Sequence, residues 1–194
     1  MRTLYATTAA TAALALAAPS ATTAQDLSVF AGIDANSAYV SQGLIFNDTI
    51  TIQPYAEASF GGAYFGIYRS PVDQDITLAD NETGIYVGYR GEAGPVFYDA
   101  SVFHYSYDEP FAEFVPDDCT PAECLPVEYE EYILSAGIGA TDSLFLTGRL
   151  AAAPEFEQYD ISVLADYYTN AGPTLSAQYG GVAADFGDWT YWKV

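Results

Sequence analysis

The feature that most constrains this chain is a strict period of two. From Ile50 to Phe60, the residues Ile50, Ile52, Pro54, Ala56, Ala58 and Phe60 alternate with Thr51, Gln53, Tyr55, Glu57 and Ser59. Successive side chains of a strand point to opposite faces, so this run reads as a strand with one apolar and one polar face. The alternation returns at Val96, Tyr98, Ala100 and Val102 against Phe97, Asp99, Ser101 and Phe103. It returns again at Ile161, Val163, Ala165 and Tyr167 against Ser162, Leu164, Asp166 and Tyr168.

Turn residues cut these runs into a regular series at Asn47-Asp48, Gly61-Gly62, Gly91 to Pro95, Thr141 to Ser143 and Asn170 to Pro173. Longer acidic segments lie between them, near Pro71 to Glu82, Asp108 to Glu128, Pro154 to Gln158 and Ala183 to Asp188. Nine strands are expected, at 27–46 (long and bent), 49–60, 63–70, 82–91, 95–107, 128–140, 143–153, 158–169 and 173–183, with a tenth starting near Trp189. After the first hairpin, short turns and long acidic loops alternate. That is the plan of an up-and-down outer-membrane barrel, with short periplasmic turns and longer outward loops. The expected fold is therefore all-β, an antiparallel up-and-down transmembrane β-barrel with about ten strands visible. A membrane strand needs about 9 to 11 residues, and the tenth has only Trp189 to Val194, so that strand is expected to be incomplete.

The start of the chain fits export. Arg2 precedes an apolar run from Ala9 to Ala18, and small residues follow to Ala24. This is the shape of a signal peptide over residues 1–24, leaving a barrel domain at 25–194. The run is too short to span a bilayer as a helix, and no Cys follows it to take a lipid. No later window reaches the roughly 18 consecutive apolar residues of a membrane helix, so strands must carry any membrane role.

Without the leader, four basic residues (Arg69, Arg90, Arg149 and Lys193) face 26 acidic ones. Phosphate binding needs clustered Lys and Arg, so a nucleic-acid partner is excluded. Aromatic residues recur near strand ends, among them Tyr39, Phe60, Tyr64, Tyr68, Tyr89, Tyr105, Tyr107, Tyr132, Tyr167 and Tyr168. Such rings suit the interfacial girdles of a membrane barrel. The alternative is that they form the core and cross-strand pairs of a soluble, secreted β-sandwich.

Several phrases resemble a known family. Ser37 to Gly43 (SAYVSQG), Ala63 to Ser70 (AYFGIYRS), Glu82 to Gly91 (ETGIYVGYRG), Val102 to Tyr107 (VFHYSY), Glu128 to Tyr132 (EYEEY) and Thr190 to Val194 (TYWKV) are similar to the TorF-type porin family. Its members are bacterial conserved hypothetical proteins of outer-membrane β-barrel type. The resemblance implies an outer-membrane location in a Gram-negative cell and a transport role, with no substrate named. Family members usually carry Arg where this chain has Gln42, so no role of that arginine transfers.

If the apolar faces meet lipid, the opposite faces turn Gln53, Glu57, Asp99, Arg149, Asp166 and Gln178 toward a lumen. Arg149 belongs inside, because a cation at the bilayer midplane costs about 2 to 4 kcal/mol; Asp166 on the next strand is its expected partner. These residues either line a narrow polar path that sets charge preference or cross-link a packed interior. The facing of Arg69 and Arg90 is open to one residue of register. Cys119 and Cys124 enclose Thr-Pro-Ala-Glu in the longest acidic loop and read as a local disulfide. Zinc would need two further soft ligands. Asp117, Asp118, Glu123, Glu128, Glu130 and Glu131 read as a solvated acidic face rather than a Ca2+ loop, since the spaced D-x-D-x-D-G pattern is missing.

No catalytic, cofactor-binding or metal-binding residue is expected. Ser101 and His104 fall on opposite faces of one strand, there is no G-x-S-x-G elbow, and the glycines lie at turns and within strands. The expected function is a passive porin or channel-like barrel, cation-favouring if open, with outer-membrane lipid and small ions or solutes as partners. The alternatives are a closed structural or binding barrel that acts through its loops, or the soluble sandwich.

Overall fold

The computed structural model describes residues 11–13, 27–73, 79–108, 128–169, 172–185 and 187–194. The strands are β1 (Thr11–Ala13), β2 (Leu27–Asn36), β3 (Tyr39–Ser41), β4 (Leu44–Asn47), β5 (Thr51–Phe60), β6 (Ala63–Pro71) and β7 (Asn81–Ala93). They continue as β8 (Val96–Tyr107), β9 (Glu128–Gly139), β10 (Leu144–Ala153), β11 (Gln158–Tyr168), β12 (Thr174–Ala183) and β13 (Trp189–Lys193). A single 3-10 turn, Pro154–Phe156, is the one helical element among the described residues. The fold is thus all-β, as the alternation requires.

One antiparallel meander runs β2-β5-β6-β7-β8-β9-β10-β11-β12-β13, with the three-residue β1 on the outer edge of β2. Tight reversals join Phe60 to Ala63 and Ala93 to Val96, and the 140–143 and 169–173 turns lie at the same end. The connections at the opposite end include 72–80 and 108–127; the one over Pro154–Glu157 is shorter than expected, a single turn closed by Glu157 in the left-handed region at φ 47°. Two expectations need correction. The stretch 27–46 is not one bent strand: β2 ends at Asn36, and β3 and β4 form a separate two-stranded hairpin. Gln42 (φ 49°) and Gly43 (φ 80°) reverse the chain there, and positive φ at both central residues is what a two-residue type I′ hairpin turn demands. Nor does the ladder close: among the described residues β13 pairs only with β12, and no bonds join it to β2.

The sheet is nevertheless strongly curved. Gln42 hydrogen-bonds to Glu131 on β9 and Gln158 on β11, and its carbonyl accepts from Trp189 on β13. In a flat sheet β9 and β13 lie four strand spacings, about 19 Å, apart. One side chain with its own backbone reaches all three strands only if they curl around it.

Polarity is divided cleanly between the two faces. The convex face presents Leu27, Val29, Ile33, Ile52, Phe65, Ile67, Val87, Leu134, Leu150, Ile161, Val163 and Leu175, all well exposed. The concave face holds Thr51, Glu57, Ser70, Glu82, Ser101, Glu131, Asp160 and Ser162, all buried. A water-soluble domain shows the reverse arrangement.

Candidate functional site: the polar concave face

Strand parity places every expected lumen residue on the concave face, and the register decides what each one meets. Gln53 accepts from Asn36 at 2.8 Å and donates to Ser70 at 2.7 Å. Glu57 receives two bonds from the Arg90 guanidinium, at 2.9 and 2.8 Å, and one from the Tyr86 hydroxyl. Asp99 accepts from Tyr64 at 2.6 Å and lies 3.7 Å from Arg90 Nε. Arg90, whose facing the sequence leaves open, therefore stands between two carboxylates near the short-turn end, its guanidinium 3.8 Å over the Tyr64 ring. Asp166 accepts from Ser176, and Gln178 donates to Ser162 and Tyr191.

The partner expected for Arg149 is wrong. Its guanidinium donates to Asp160 at 3.1 Å and Glu131 at 3.3 Å, not to Asp166. Arg149 stands opposite Ser162. Asp160 is two residues from that point toward the loops, whereas Asp166 is four residues, about 13 Å, toward the short turns. The guanidinium leans to the loop end, where Asp160 also accepts from Ser162 and Tyr191, and Glu131 from Tyr105 and Gln42.

Glu131 belongs to this network rather than to a solvated acidic face. Its neighbours Glu128 and Glu130 point outward and flank His104, whose Nδ1 is 3.4 Å from Glu130. Ser101 is on the concave face, away from His104. Arg69 is on the convex face at the loop end, paired with Asp108 at 2.9 Å. Asp117, Asp118, Glu123, Cys119 and Cys124 lie outside the described residues, as does most of the expected leader.

Glu82, like Asp160, is a concave carboxylate that sequence reasoning missed. Glu82 is 1% exposed and accepts hydrogen bonds from the hydroxyls of Tyr39, Tyr68 and Tyr107. A signal existed: Glu82 has the parity of Gly84, Tyr86 and Gly88, which alternate with Ile85 and Val87. Beside it the rings of Tyr86, Phe103, Tyr105, Tyr129 and Tyr107 stack in sequence, 4.7 to 6.4 Å apart and within 22° of parallel. Glycines make room for such rings. A Cβ on Gly66 would lie 2.2 Å from Tyr86 and one on Gly84 2.2 Å from Tyr68, so each tyrosine lies flat over a glycine of the adjoining strand.

Burial changes along the strands. Thr51, Ser70, Glu82, Asp160, Ser162 and Glu131 near the loop end are at most 5% exposed. Nearer the short turns, the Arg90 side chain is 49% exposed and that of Asp99 33%. The concave face is therefore more open around Arg90 and Asp99, although Tyr64 and Glu57 beside them stay 6% exposed, and it is covered toward the loops, where hairpin β3–β4 lies across it. Such a face can hold cations by its carboxylates and orient polar solutes; no group of three or more His, Cys, Asp or Glu side chains among the described residues is arranged to hold a metal ion. No protein-family model matches the chain, and no curated protein or solved structure matches it.

Proposed function

We propose that this chain is an outer-membrane β-barrel of a Gram-negative cell that acts as a passive, porin-like channel with a cation-favouring interior. The observation that carries the reading is the inverted polarity of the sheet. More than twenty large apolar or aromatic side chains among the described residues are exposed on the convex face. Leaving each in water forgoes about 1 to 2 kcal/mol. Summed over the face, that exceeds the roughly 5 to 15 kcal/mol by which a typical domain is stable. Lipid removes the penalty, and the regular alternation matches the lipid-out, polar-in pattern of membrane barrels.

A soluble sandwich would cover the apolar face and wet the polar one, and here the covered face is polar. Export by the 1–24 leader, contact with outer-membrane lipid and membership in the TorF-type porin family are proposed with this reading. The carboxylates of Glu57, Asp99, Glu131 and Asp160, against the guanidiniums of Arg90 and Arg149, leave the interior net acidic and so favour cations.

The test is refolding of the full chain in detergent, heat-modifiable gel mobility, and planar-bilayer conductance under a KCl gradient. Discrete steps with a reversal potential favouring K+ are expected. A chain that stays soluble and monomeric without detergent refutes the reading. Heat-modifiable but silent protein would favour a second reading, a closed barrel acting through its loops, for which the buried network at the loop end speaks.

A further inference from the structure

We infer that hairpin β3–β4 is an autoinhibitory plug, latched by Gln42, whose release opens the loop end of the polar interior. The inference rests on the channel reading. The hairpin pairs with itself rather than with the main sheet. Among the described residues, its one backbone bond to the rest of the chain outside its own strands and turn is Asp73 N–H to the Phe46 carbonyl, 2.7 Å, apart from the Trp189 indole on the Gln42 carbonyl at 2.8 Å. Its other hydrogen bonds among the described residues are made by side chains.

The latch is a relay: Gln158 donates to the Gln42 amide oxygen, and the Gln42 amide nitrogen donates to Glu131. At the hairpin base Tyr39 donates to Glu82 at 2.8 Å and packs its ring against Phe46 at 5.4 Å. The turn is seated closely, since a Cβ on Gly43 would lie 2.4 Å from that of Tyr191. These attachments reach strands β7, β9, β11 and β13, so the hairpin spans the concave face just where its carboxylates are buried. An element tied by a few polar side chains opens locally, at far lower cost than a laddered strand. Bends at 37–38 and 48–49 set the hairpin off from β2 and β5 on either side.

Gln42→Gly is the decisive variant. It deletes both side-chain bonds of the latch, and glycine suits the φ of 49° at that position, so backbone strain is not introduced. Gln42→Asn is the conservative companion, since it keeps an amide donor and an amide acceptor at that position on a side chain one methylene shorter. Each protein is refolded in detergent, checked for heat-modifiable mobility, and recorded in planar bilayers under identical KCl. Two ordinary hydrogen bonds correspond to about a tenfold change in open probability. Gln42→Gly is expected to raise open probability by about tenfold or more over the wild type, and Gln42→Asn to fall between the two. Equal open probability in Gln42→Gly and wild type, both heat-modifiable, overturns the plug and leaves the barrel reading intact. Loss of heat-modifiable mobility in the wild type itself overturns both.

Discussion

Replacing Arg149 with methionine removes the one cation that stands between the Glu131 and Asp160 carboxylates. Both are nearly buried, at 5% and 3% exposure, while the arginine side chain is 24% exposed. Breaking such a pair from one side leaves uncompensated buried charge and costs about 3 to 5 kcal/mol. Tyr105 and Gln42 still donate to Glu131, and Ser162 and Tyr191 to Asp160, so the lower end, about 3 kcal/mol, applies. The assay is equilibrium urea unfolding of the protein refolded into liposomes, followed by the fluorescence of Trp189 and Trp192. The companion triple variant, Glu131→Gln with Arg149→Met and Asp160→Asn, removes the charges together and is expected to lose less than Arg149→Met alone. A cost below about 1 kcal/mol for Arg149→Met, or a triple variant that is the least stable of all, would mean that Glu131 and Asp160 do not depend on the Arg149 charge.

Three further predictions follow from the same network. Gly66→Ala, which forces Tyr86 off the neighbouring strand, is expected to cost about 1 to 3 kcal/mol, and the cost should vanish in a Tyr86→Ala background by double-mutant cycle. Leu134→Arg, on the convex face in the middle of β9, should cost about 2 to 4 kcal/mol in liposomes, and Ser135→Arg, one residue on and facing inward, clearly less. Glu57→Gln with Asp99→Asn leaves Arg90 without either carboxylate near the short-turn end, so the reversal potential in a KCl gradient should shift toward chloride.

Much of this architecture was legible because it rests on short-range rules. Alternation with Gly, Pro and Asn turns located nine of the ten strands of the main sheet to within a few residues, the first being drawn ten residues too long, and parity alone assigned Gln53, Glu57, Asp99, Arg149, Asp166 and Gln178 to one face. What parity cannot supply is register and curvature. Arg149 took Asp160 and Glu131 in place of Asp166 because the register sets it opposite Ser162, two residues from Asp160 and four from Asp166. The β3–β4 hairpin was missed for a local reason. Tyr39 to Ser41 and Leu44 to Asn47 read as one β-prone run, and its reversal depends on Gln42 adopting a φ that Asn or Gly would have advertised. Glu131, adjacent to an acidic loop, looked like part of it until pairing with β8 and β10 fixed its direction.

The chain's two tryptophans allow the most direct test of the proposal that the convex surface faces lipid. Trp192 points outward and is 54% exposed, whereas Trp189, three residues away on the opposite face of β13, donates its indole N–H to the Gln42 carbonyl. Single-tryptophan variants, Trp189→Phe and Trp192→Phe, are refolded into vesicles containing brominated acyl chains, and fluorescence quenching is measured against unbrominated vesicles. Strong quenching of Trp192 with little quenching of Trp189 is the predicted result. Equal quenching of the two, or a Trp192 reached by aqueous acrylamide and untouched by bromine, would contradict the account.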